Sequence, residues 1–457
     1  MSDLRSFLDA VRSRLPDQYA EIDKEVDPKY EIAAIQKKLE KQDRYTVLYF
    51  RRVKGSDMPV VLNVYGNRDR LAFALGTTPD KVADIYRQRE DNPIPPQGVG
   101  EAPVQEVVIT GDKVDLYRLP VLTAHEPDIA PYITTGIVIA KDPDTGVHNA
   151  SFGRLMLVDR NTVYTHVTPG RHLHQYYAKA ESRNQALPVT ISLGSPPTWA
   201  LGALSLIPID QDELGVMGAM DGEPLKIVAG KTVPVPALAE AEIVLEGELL
   251  PHVRGEEGPF CEFTGYATGR RHRHVIKISA ITMRRDPIYH ALVAGSTEHR
   301  ILGSIAKESY LFKVARVAAP SVRAVHVPVS GCGRFHCYVS LEKKAKGQPL
   351  NVGMAVLGAD IYTKMVVVVD HDIDVFDERE VLWAVATRVQ GNRDITFIPR
   401  ALGSDLDPSA DEDGVVCKMI VDATAKPFLD QYHARAVVPR EVMDRIRLED
   451  YLPGLSR

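Results

Sequence analysis

The hydrophobic pattern of residues 1–90 alternates between helical and strand periodicity. Leu4, Leu8, Val11 and Leu15 recur at helical spacing in a charged segment. They predict an amphipathic helix over residues 2–15 rather than a secretory signal, which needs a continuous apolar stretch. The same kind of pattern predicts further elements, namely helices over 31–41 and 79–89 and strands over 45–50 and 59–65.

Residues 92–100 interrupt this alternation with three prolines and two glycines. Proline removes a backbone donor and glycine favours turns, so we expect a linker here that forms neither helix nor strand. We therefore place a domain boundary after this segment and predict an N-terminal α+β domain over residues 1–103.

The middle of the chain reads as short strands separated by turns. Apolar segments at 137–140 and 155–158 flank the turn sequence of residues 142–146. Such closely spaced strands predict an antiparallel sheet or barrel. We assign residues 104–310 to this central domain.

The last third returns to strand–helix alternation and is assigned to a C-terminal α/β domain, residues 311–457. Residues 364–370 include a β-branched run typical of a strand buried on both faces. Asp377 and Glu380 then have the spacing of a capping box ahead of a helix over 381–389. The predicted fold class is α+β.

Composition and charge exclude several classes of function. The 457 residues are 44% apolar and 25% charged, as in an ordinary globular protein. A net charge of −6 argues against a nucleic-acid partner and against attraction to anionic membranes. No apolar segment is long enough for membrane insertion. Four sparse cysteines fit free thiols in a reducing compartment, so we expect a cytoplasmic protein.

The sharpest local feature is the segment from Arg254 to Phe263, which contains Glu257 and Glu262. The glutamates would lie on different faces of an unbroken strand, but Gly258-Pro259 predicts a bend that brings both carboxylates towards one site. Phe260, Phe263 and Tyr266 would surround Glu262, and an apolar wall raises a carboxyl pKa and favours a proton donor. The alternative is a turn with solvated glutamates.

Two other segments carry candidate chemistry. Arg154 follows a polar, Gly-containing strand segment. It could bind a carboxylate in bidentate fashion, or form an ordinary surface ion pair. Asn149, His172 and Glu213 offer an amide oxygen, an imidazole and a carboxylate, a set suited to Mn²⁺ or Mg²⁺, although their spacing follows no rule. The basic run 270–274 is interpreted as a solvated turn or subunit contact.

Taken together, these segments resemble the UbiD-type decarboxylases, which use prenylated FMN (prFMN). The similarity extends from about residue 133 to residue 427. It rests on Glu257-Gly-Pro-Phe-x-Glu262, on Asn149-x₄-Arg154, on Thr363-Lys364-x-Val-Val-Val-Val-Asp370, on Trp383-Ala384-x₂-Thr387-Arg388 and on Lys418-Met419-x₂-Asp422-Ala423-Thr424.

The resemblance implies a role for each matching position. Arg154, Glu257 and Glu262 correspond to the catalytic trio, and Asn149, His172 and Glu213 to the ligands of the metal that binds the cofactor phosphate. Glu213 is preferred to Glu223 because the following glycines have the family's spacing. Further residues fall where the family contacts the cofactor or its K⁺ ion, namely Thr134, Ser151, Phe152, Arg171, Ser205 and Lys364. Arg171 departs from the family pattern, in which a neutral polar residue is also found.

The fold implied by the resemblance is a central split β-barrel like that of flavin reductases, followed by an α/β assembly domain in a homodimer or homohexamer. The implied reaction is reversible, non-oxidative loss of CO₂ from a small aromatic or unsaturated carboxylic acid. A flavin prenyltransferase would supply the cofactor. Arg154 would orient the substrate carboxylate, Glu257 would support Arg154, and Glu262 would donate the proton.

The substrate is suggested by residues 296–308, which resemble the furan-dicarboxylate branch of the family. His299 and Lys307 fall where that branch binds a second carboxylate, although arginine would be expected at position 307. They could instead simply cap and solvate a helix. Two other functions stay open, an FMN-dependent oxidoreductase on the same barrel and a non-catalytic assembly or cofactor-storage protein.

Overall fold

The N-terminal part of the molecule is a small sheet covered by helices. The computed structural model describes residues 3–411 and 414–452, so Ser2 of the first predicted helix lies outside the described residues. The N-terminal elements are α1 (Leu4–Arg14), β1 (Tyr19–Ile22), α2 (Glu31–Glu40), β2 (Val47–Phe50), β3 (Val60–Leu62), α3 (Arg68–Leu75) and α4 (Val82–Glu90). The predicted helices and strands of this region are confirmed, with shorter strands.

The first helix shows why the apolar pattern was informative. Leu4, Phe7, Leu8 and Val11 are buried along one face of α1, and Asp3 caps its N-terminus by accepting a hydrogen bond from the backbone N–H of Ser6 at 2.8 Å. A side chain that satisfies a free N–H of the first turn defines where the helix begins.

The central part of the chain forms a closed barrel. Its elements are β4 (Gln97–Val99), β5 (Val107–Thr110), β6 (Tyr132–Lys141), β7 (His148–Asp159), β8 (Thr162–Thr165), α5 (His172–Ser182), β9 (Leu187–Leu193), α6 (Pro197–Gly202), α7 (Glu213–Asp221), β10 (Lys226–Ala229), β11 (Pro236–Leu238), β12 (Ile243–Glu257), β13 (Arg271–Met283) and β14 (Tyr289–His290). Six strands follow the order β12-β9-β6-β7-β8-β13, and the β12–β13 pairing closes the ring. The predicted antiparallel barrel is confirmed.

Two short strands connect the barrel to its surroundings. β14 pairs in parallel with β3 and so adds a fourth strand to the N-terminal sheet. β4 lies within the predicted linker and pairs in parallel with β10. The expectation that residues 92–100 form no regular structure was therefore wrong at Gln97–Val99, because this segment adds to the edge of a small sheet and its prolines precede the pairing.

The C-terminal part is a five-stranded sheet with helices on both faces. It contains α8 (Thr297–Ala318), β15 (Val322–His326), β16 (His336–Leu341), α9 (Gln348–Ala359), β17 (Met365–Asp370), α10 (Glu378–Arg388), α11 (Gly391–Asp394), β18 (Ile395–Leu402), β19 (Val415–Ala423) and α12 (Arg440–Arg445). The strand order is β15-β16-β17-β19-β18. Together with the barrel and the N-terminal sheet, this confirms the α+β class.

Strand β17 is buried on both faces, as its apolar run predicted. Val366 and Val368 pack in one cluster with residues of α9, while Val367 and Val369 pack in another with residues of α10. The predicted capping box at the start of α10 is wrong. Asp377 accepts from the backbone N–H of Arg379 at 2.9 Å, but the Glu380 carboxylate binds the guanidinium of Arg435 instead.

Helix α8 crosses the middle of the molecule and contacts all three regions. The buried Glu298 accepts hydrogen bonds from the backbone N–H groups of Asn63 and Tyr65 at 3.0 and 2.8 Å. The boundary predicted at residue 310 lies inside this helix, which begins at Thr297. Of the helices formed by residues 3–411 and 414–452, none is both long and apolar enough to cross a membrane.

Glu308 of α8 joins the N-terminal and C-terminal regions. Its buried carboxylate accepts hydrogen bonds from Nη1 and Nη2 of Arg68 at 3.1 and 2.8 Å, and it lies 2.6 Å from Nδ1 of His326 on β15. Burial alone would raise the pKa of Glu308, but Arg68 and His326 outweigh burial and lower it. The ion pairs therefore hold Glu308 as a carboxylate.

We expect Glu308→Ala to destabilise the protein by about 3–5 kcal/mol, because it leaves the partly buried Arg68 without its counter-charge. The measurement is chemical denaturation followed by circular dichroism. Glu342→Gln is the matched control, since Glu342 pairs with Arg323 and Lys344 at the surface and its loss should matter little. Equal unfolding midpoints for the two variants would contradict a joining role for Glu308. Because its pKa is lowered, this stabilisation should be present above the ordinary carboxyl pKa and be lost on acidification.

Candidate functional site

The candidate site begins on the barrel, where Arg154 and Glu257 lie on two different strands. Arg154 is on β7, and Glu257 is the last residue of β12. At Gly258 the chain takes a positive φ of 92°, and a side chain there would approach the carbonyl oxygen of Gly269 at 2.7 Å. The glycine therefore permits the bend after β12, and this bend returns Glu262 to Arg154.

One guanidinium binds both glutamates. Nε and Nη2 of Arg154 donate to the two oxygens of Glu257 at 3.0 and 3.1 Å, while Nη1 donates to Oε1 of Glu262. Glu257 is 1% exposed and Glu262 is 8% exposed. Buried carboxylates need counter-charges, and Arg154 supplies one to both. The prediction that the two carboxylates converge on one site is therefore confirmed.

The surroundings of Glu262 differ from the apolar wall expected from sequence. Phe260 and Phe263 are buried, but Tyr266 is 64% exposed and does not cover the carboxylate. Oε2 of Glu262 accepts from the backbone N–H of Phe263 at 3.2 Å. The carboxyl group of Glu262 is therefore hydrogen-bonded to a cation and to a backbone N–H.

Arg154 and Glu262 line a cavity of about 670 Å³, and a neighbouring cavity of about 430 Å³ continues from it. We call these the catalytic cavity and the phosphate cavity, after the roles that are proposed for them below. Both are lined by Phe152, Gly153, His166, Thr168, Leu204, Gly303, Arg334 and Tyr362. Such a continuous two-part space, in which apolar walls alternate with convergent charged and polar groups, is typical of a cofactor and substrate site.

The three predicted metal ligands meet in the phosphate cavity. Oε1 of Glu213 lies 3.1 Å from Nδ2 of Asn149 and 2.7 Å from Nδ1 of His172. Oε2 of Glu213 is buried and has no hydrogen-bond partner among the residues that the structure describes. An orphaned carboxylate oxygen next to an imidazole and an amide fits a divalent cation such as Mn²⁺. Glu223, the rejected alternative, is exposed.

The other predicted cofactor residues separate into two groups. Ser151, Phe152, Arg171 and Ser205 line the phosphate cavity, and the Ser205 hydroxyl is buried without a partner. Thr134 lines the catalytic cavity, but its hydroxyl is engaged by the backbone of Leu292 at 2.7 and 3.1 Å. Lys364 departs from the expectation, since it is not among the residues lining either cavity. Its ammonium pairs with Asp407 at 2.6 Å.

The two predicted substrate residues lie in different places. His299 lines the catalytic cavity, whereas Lys307 lines the phosphate cavity and its Nζ is 2.6 Å from Oδ1 of Asp360. Burial lowers the pKa of Lys307 to about 8, and Asp360 opposes this shift. Lys307 therefore has an internal counter-charge, and the structure does not bring it together with His299.

Several residues of the cavity were missed in the sequence. Arg271 and Arg273 belong to the basic run interpreted as a solvated turn or a subunit contact. The turn was wrong, because both residues lie on β13, and the subunit contact stays a prediction. The two arginines alternate along β13 and both line the catalytic cavity, and Arg273 lies 3.7 Å from Glu257. Their spacing of two residues, which on a strand points to one face, was the available signal. His166 was also missed, and burial, followed by Arg273 and Arg154, lowers its pKa to about 3.

Comparison with known proteins identifies the family. Models of the N-terminal, Rift-related and C-terminal domains of 3-octaprenyl-4-hydroxybenzoate carboxy-lyase match residues 13–89, 97–297 and 300–423. The chain belongs to the UbiD family of carboxy-lyases. The predicted family and enzyme class are thereby confirmed, in preference to an oxidoreductase or a storage protein.

Three similar proteins or structures represent the UbiD relatives. Anhydromevalonate phosphate decarboxylase of Methanothermobacter thermautotrophicus is 36% identical over 92% of this chain and 96% of its own. The UbiD-class enzyme HmfF from Pelotomaculum thermopropionicum, in complex with FMN, has a TM-score of 0.93 and 38% identity over 98% of this chain and 100% of its own. An evolved dimeric form of HmfF, in complex with prFMN, has a TM-score of 0.90 and 36% identity over 99% and 100%.

Proposed function

We propose that this UbiD-family protein catalyses the reversible, non-oxidative decarboxylation of a small heteroaromatic or α,β-unsaturated carboxylic acid with prFMN. The observation that carries the proposal is the guanidinium of Arg154 bound to both Glu257 and Glu262 at the wall of the catalytic cavity. A guanidinium donor and a buried carboxyl group at one point can hold a carboxylate and deliver a proton.

The roles of the trio follow from their contacts. Glu257 engages Nε and Nη2 of Arg154, so Nη1 is the donor left to face Glu262 and the substrate. When Glu262 is protonated, Nη1 is released to bind the scissile carboxylate. As the carbon–carbon bond breaks and CO₂ leaves, Glu262 donates its proton to the carbon that retains the electron pair. Glu257 is a positioning residue, because it acts through Arg154.

The phosphate cavity is where we expect the cofactor phosphate and its ions. Asn149, His172 and Glu213 would hold Mn²⁺ or Mg²⁺, and the unpartnered Ser205 hydroxyl would lie near K⁺. When bound, prFMN supplies the electron sink that a vinyl or aryl carbanion lacks. Ser151, Phe152, Thr134 and Arg171 would shape its binding surface. Lys364 would act only indirectly, through the segment that contains Asp407.

The substrate class and assembly are inferred from the relatives and the cavity together. One relative acts on a phosphorylated acid by name, and HmfF binds FMN or prFMN. The name of that relative and the prFMN bound by HmfF both fit a substrate whose scissile carboxylate is attached to an unsaturated carbon. A homodimer is the simplest assembly, by analogy with the dimeric form of HmfF, and a homohexamer is the alternative.

The proton-donor assignment is tested with Glu262→Gln in protein co-expressed with a flavin prenyltransferase. We expect CO₂ release from furan, pyrrole and short unsaturated acids to fall by about 10²–10⁴-fold, the usual contribution of a general acid. Glu256→Gln is the matched control, since Glu256 is an exposed neighbour that pairs with Arg270. An unchanged rate in the Glu262 variant would contradict the assignment. Plain FMN absorption, with NAD(P)H oxidation and no CO₂ release, would contradict the function.

The metal assignment is tested with Glu213→Gln. The substitution removes the carboxylate charge while keeping an oxygen ligand, so Mn²⁺ should bind at least about 10-fold more weakly. Binding is measured by the electron paramagnetic resonance signal of free Mn²⁺ during titration. Glu223→Gln should leave the affinity as in the wild type, because Glu223 is exposed. Equal affinities in the two variants would contradict the role of Glu213.

A further inference from the structure

A group of side chains suited to metal binding lies outside the two cavities, beside the bend that carries Glu262. It consists of His125, Asp128 and Cys261. One ligand atom from each residue, namely an imidazole nitrogen, a carboxylate oxygen and a thiol sulfur, lies within 4.8 Å of the other two. None of these residues lines the catalytic cavity or the phosphate cavity. The group is therefore separate from the cavities and from the ligands assigned to Mn²⁺ or Mg²⁺.

Two segments of the chain build this group, the turn 125–128 and the bend 258–262. In the turn, the backbone N–H of His125 donates to Oδ2 of Asp128 at 2.9 Å. In the bend, the backbone N–H of Cys261 donates to Oδ1 of Asp128 at 2.9 Å. The backbone N–H of Ile129 also donates to the carbonyl oxygen of Pro259 at 3.2 Å. The turn therefore packs directly on the bend, and the carboxylate of Asp128 is fixed by both segments.

Asp128 is a buried acid without a permanent counter-charge. Its side chain is 2% exposed. Within residues 3–411 and 414–452, no lysine or arginine forms an ion pair with Asp128, and its ion-pair partner is His125, with Nδ1 3.3 Å from Oδ2. The two backbone N–H groups satisfy part of its hydrogen-bonding capacity but carry no full positive charge. A bound cation would therefore stabilise this carboxylate.

The thiol of Cys261 is placed to bind an ion rather than to act as a nucleophile. Burial, followed by Asp128, raises the pKa of Cys261 to about 11, so the sulfur is protonated and unreactive near neutral pH. A divalent ion that binds a cysteine displaces this proton to solvent and holds the thiolate. Binding of such an ion should therefore become stronger as the pH rises.

Zn²⁺ is the ion that this set of donors favours. Thiolate, imidazole and carboxylate are all zinc ligands, and in a tetrahedral zinc site the ligand atoms lie about 3.3–3.6 Å apart. Nδ1 of His125 and Oδ2 of Asp128 already lie 3.3 Å apart. The His125 side chain is 31% exposed, so the imidazole has room to adjust and water can reach the fourth position.

We propose that His125, Asp128 and Cys261 bind one Zn²⁺, with water as the fourth ligand, and that this ion ties the turn 125–128 to the bend 258–262. Cys261 lies in the chain between Phe260 and Glu262, which both line the catalytic cavity. An ion that fixes Cys261 would therefore restrain both neighbours. The inference does not rest on the proposed decarboxylation, because ion binding is measured without turnover.

The site is tested with Co²⁺, which replaces Zn²⁺ and gives a near-ultraviolet absorption band when a thiolate binds it. The reduced holoenzyme is dialysed against a chelator, resupplied with Mn²⁺ for the Glu213 site, and titrated with Co²⁺. We expect a band that saturates at one Co²⁺ per chain and disappears when Zn²⁺ is added. Cys261→Ser should abolish the band, and His125→Ala should weaken Co²⁺ binding by at least about 10-fold.

Cys417→Ser is the matched control, because Cys417 is an exposed free thiol, and this variant should keep the wild-type band. If Cys261→Ser does not fold, His125→Ala carries the comparison, since His125 is partly exposed. The absence of a thiolate band in the wild type would overturn the site. A band that persists in Cys261→Ser, is lost in Cys417→Ser or keeps its affinity in His125→Ala would overturn it as well.

The restraint on the bend is tested by amide hydrogen exchange and mass spectrometry. Zn²⁺ should slow exchange in residues 258–262 of the wild type and leave it unchanged in His125→Ala. Strand β17 of the C-terminal sheet is the internal control and should exchange at one rate with and without Zn²⁺. Zn²⁺ that binds without slowing exchange in the bend would overturn the restraint. Protein that binds Zn²⁺ as expected but releases no CO₂ from any acid contradicts the proposed function and supports this inference.

Discussion

Arg154 lies between two buried glutamates, and its guanidinium binds both of them. The contact requires β7 and β12 to lie on one barrel and the chain to turn back after Glu257. Removing Arg154 would leave two buried carboxylates with only Arg273, 3.7 Å from Glu257, as an ion-pair partner among the described residues. The barrel, the bend at Gly258 and the ion pairs therefore depend on one another, and together they place two carboxylates around one guanidinium at the wall of the cavity.

Helix α8 forms the wall of the catalytic cavity opposite the barrel. Glu298 and Glu308 fix the helix to the N-terminal region, and His326 connects Glu308 to the C-terminal sheet. The face of α8 that carries His299 and Gly303 is thereby presented to the catalytic cavity. The substrate would lie between the barrel and this helix. The barrel would supply the reacting groups, Arg154 and Glu262, and the helix would contact the rest of the substrate.

Much of the fold and part of the site could be predicted from the sequence. Helices and strands with strong periodicity, such as α1 and β17, were found because burial of one face or of both faces leaves a repeating pattern. The convergence of Glu257 and Glu262 was found because Gly258-Pro259 can only bend the chain. Their meeting with Arg154 was supplied by the family resemblance, since no spacing rule connects residues a hundred positions apart.

The rest depended on contacts that local sequence does not encode. Lys307 and Lys364 match expected positions, yet Asp360 and Asp407 neutralise them from distant segments. Arg334 lines both cavities because its guanidinium occupies the space that the absent side chain of Gly303 leaves on another element, and local sequence cannot show such a contact. Tyr266 is next to the site in sequence but faces away from it, because the turn at Gly265 redirects the chain.

The central claim is that Glu262 delivers the proton to the carbon that loses CO₂. Its most direct test is hydrogen exchange into the decarboxylated product, followed by nuclear magnetic resonance in D₂O with the holoenzyme and no added CO₂. Because the reaction is reversible up to proton transfer, the wild type should exchange the hydrogen at that carbon for deuterium, and Glu262→Gln should not. Exchange at the wild-type rate in the Glu262 variant would contradict the account.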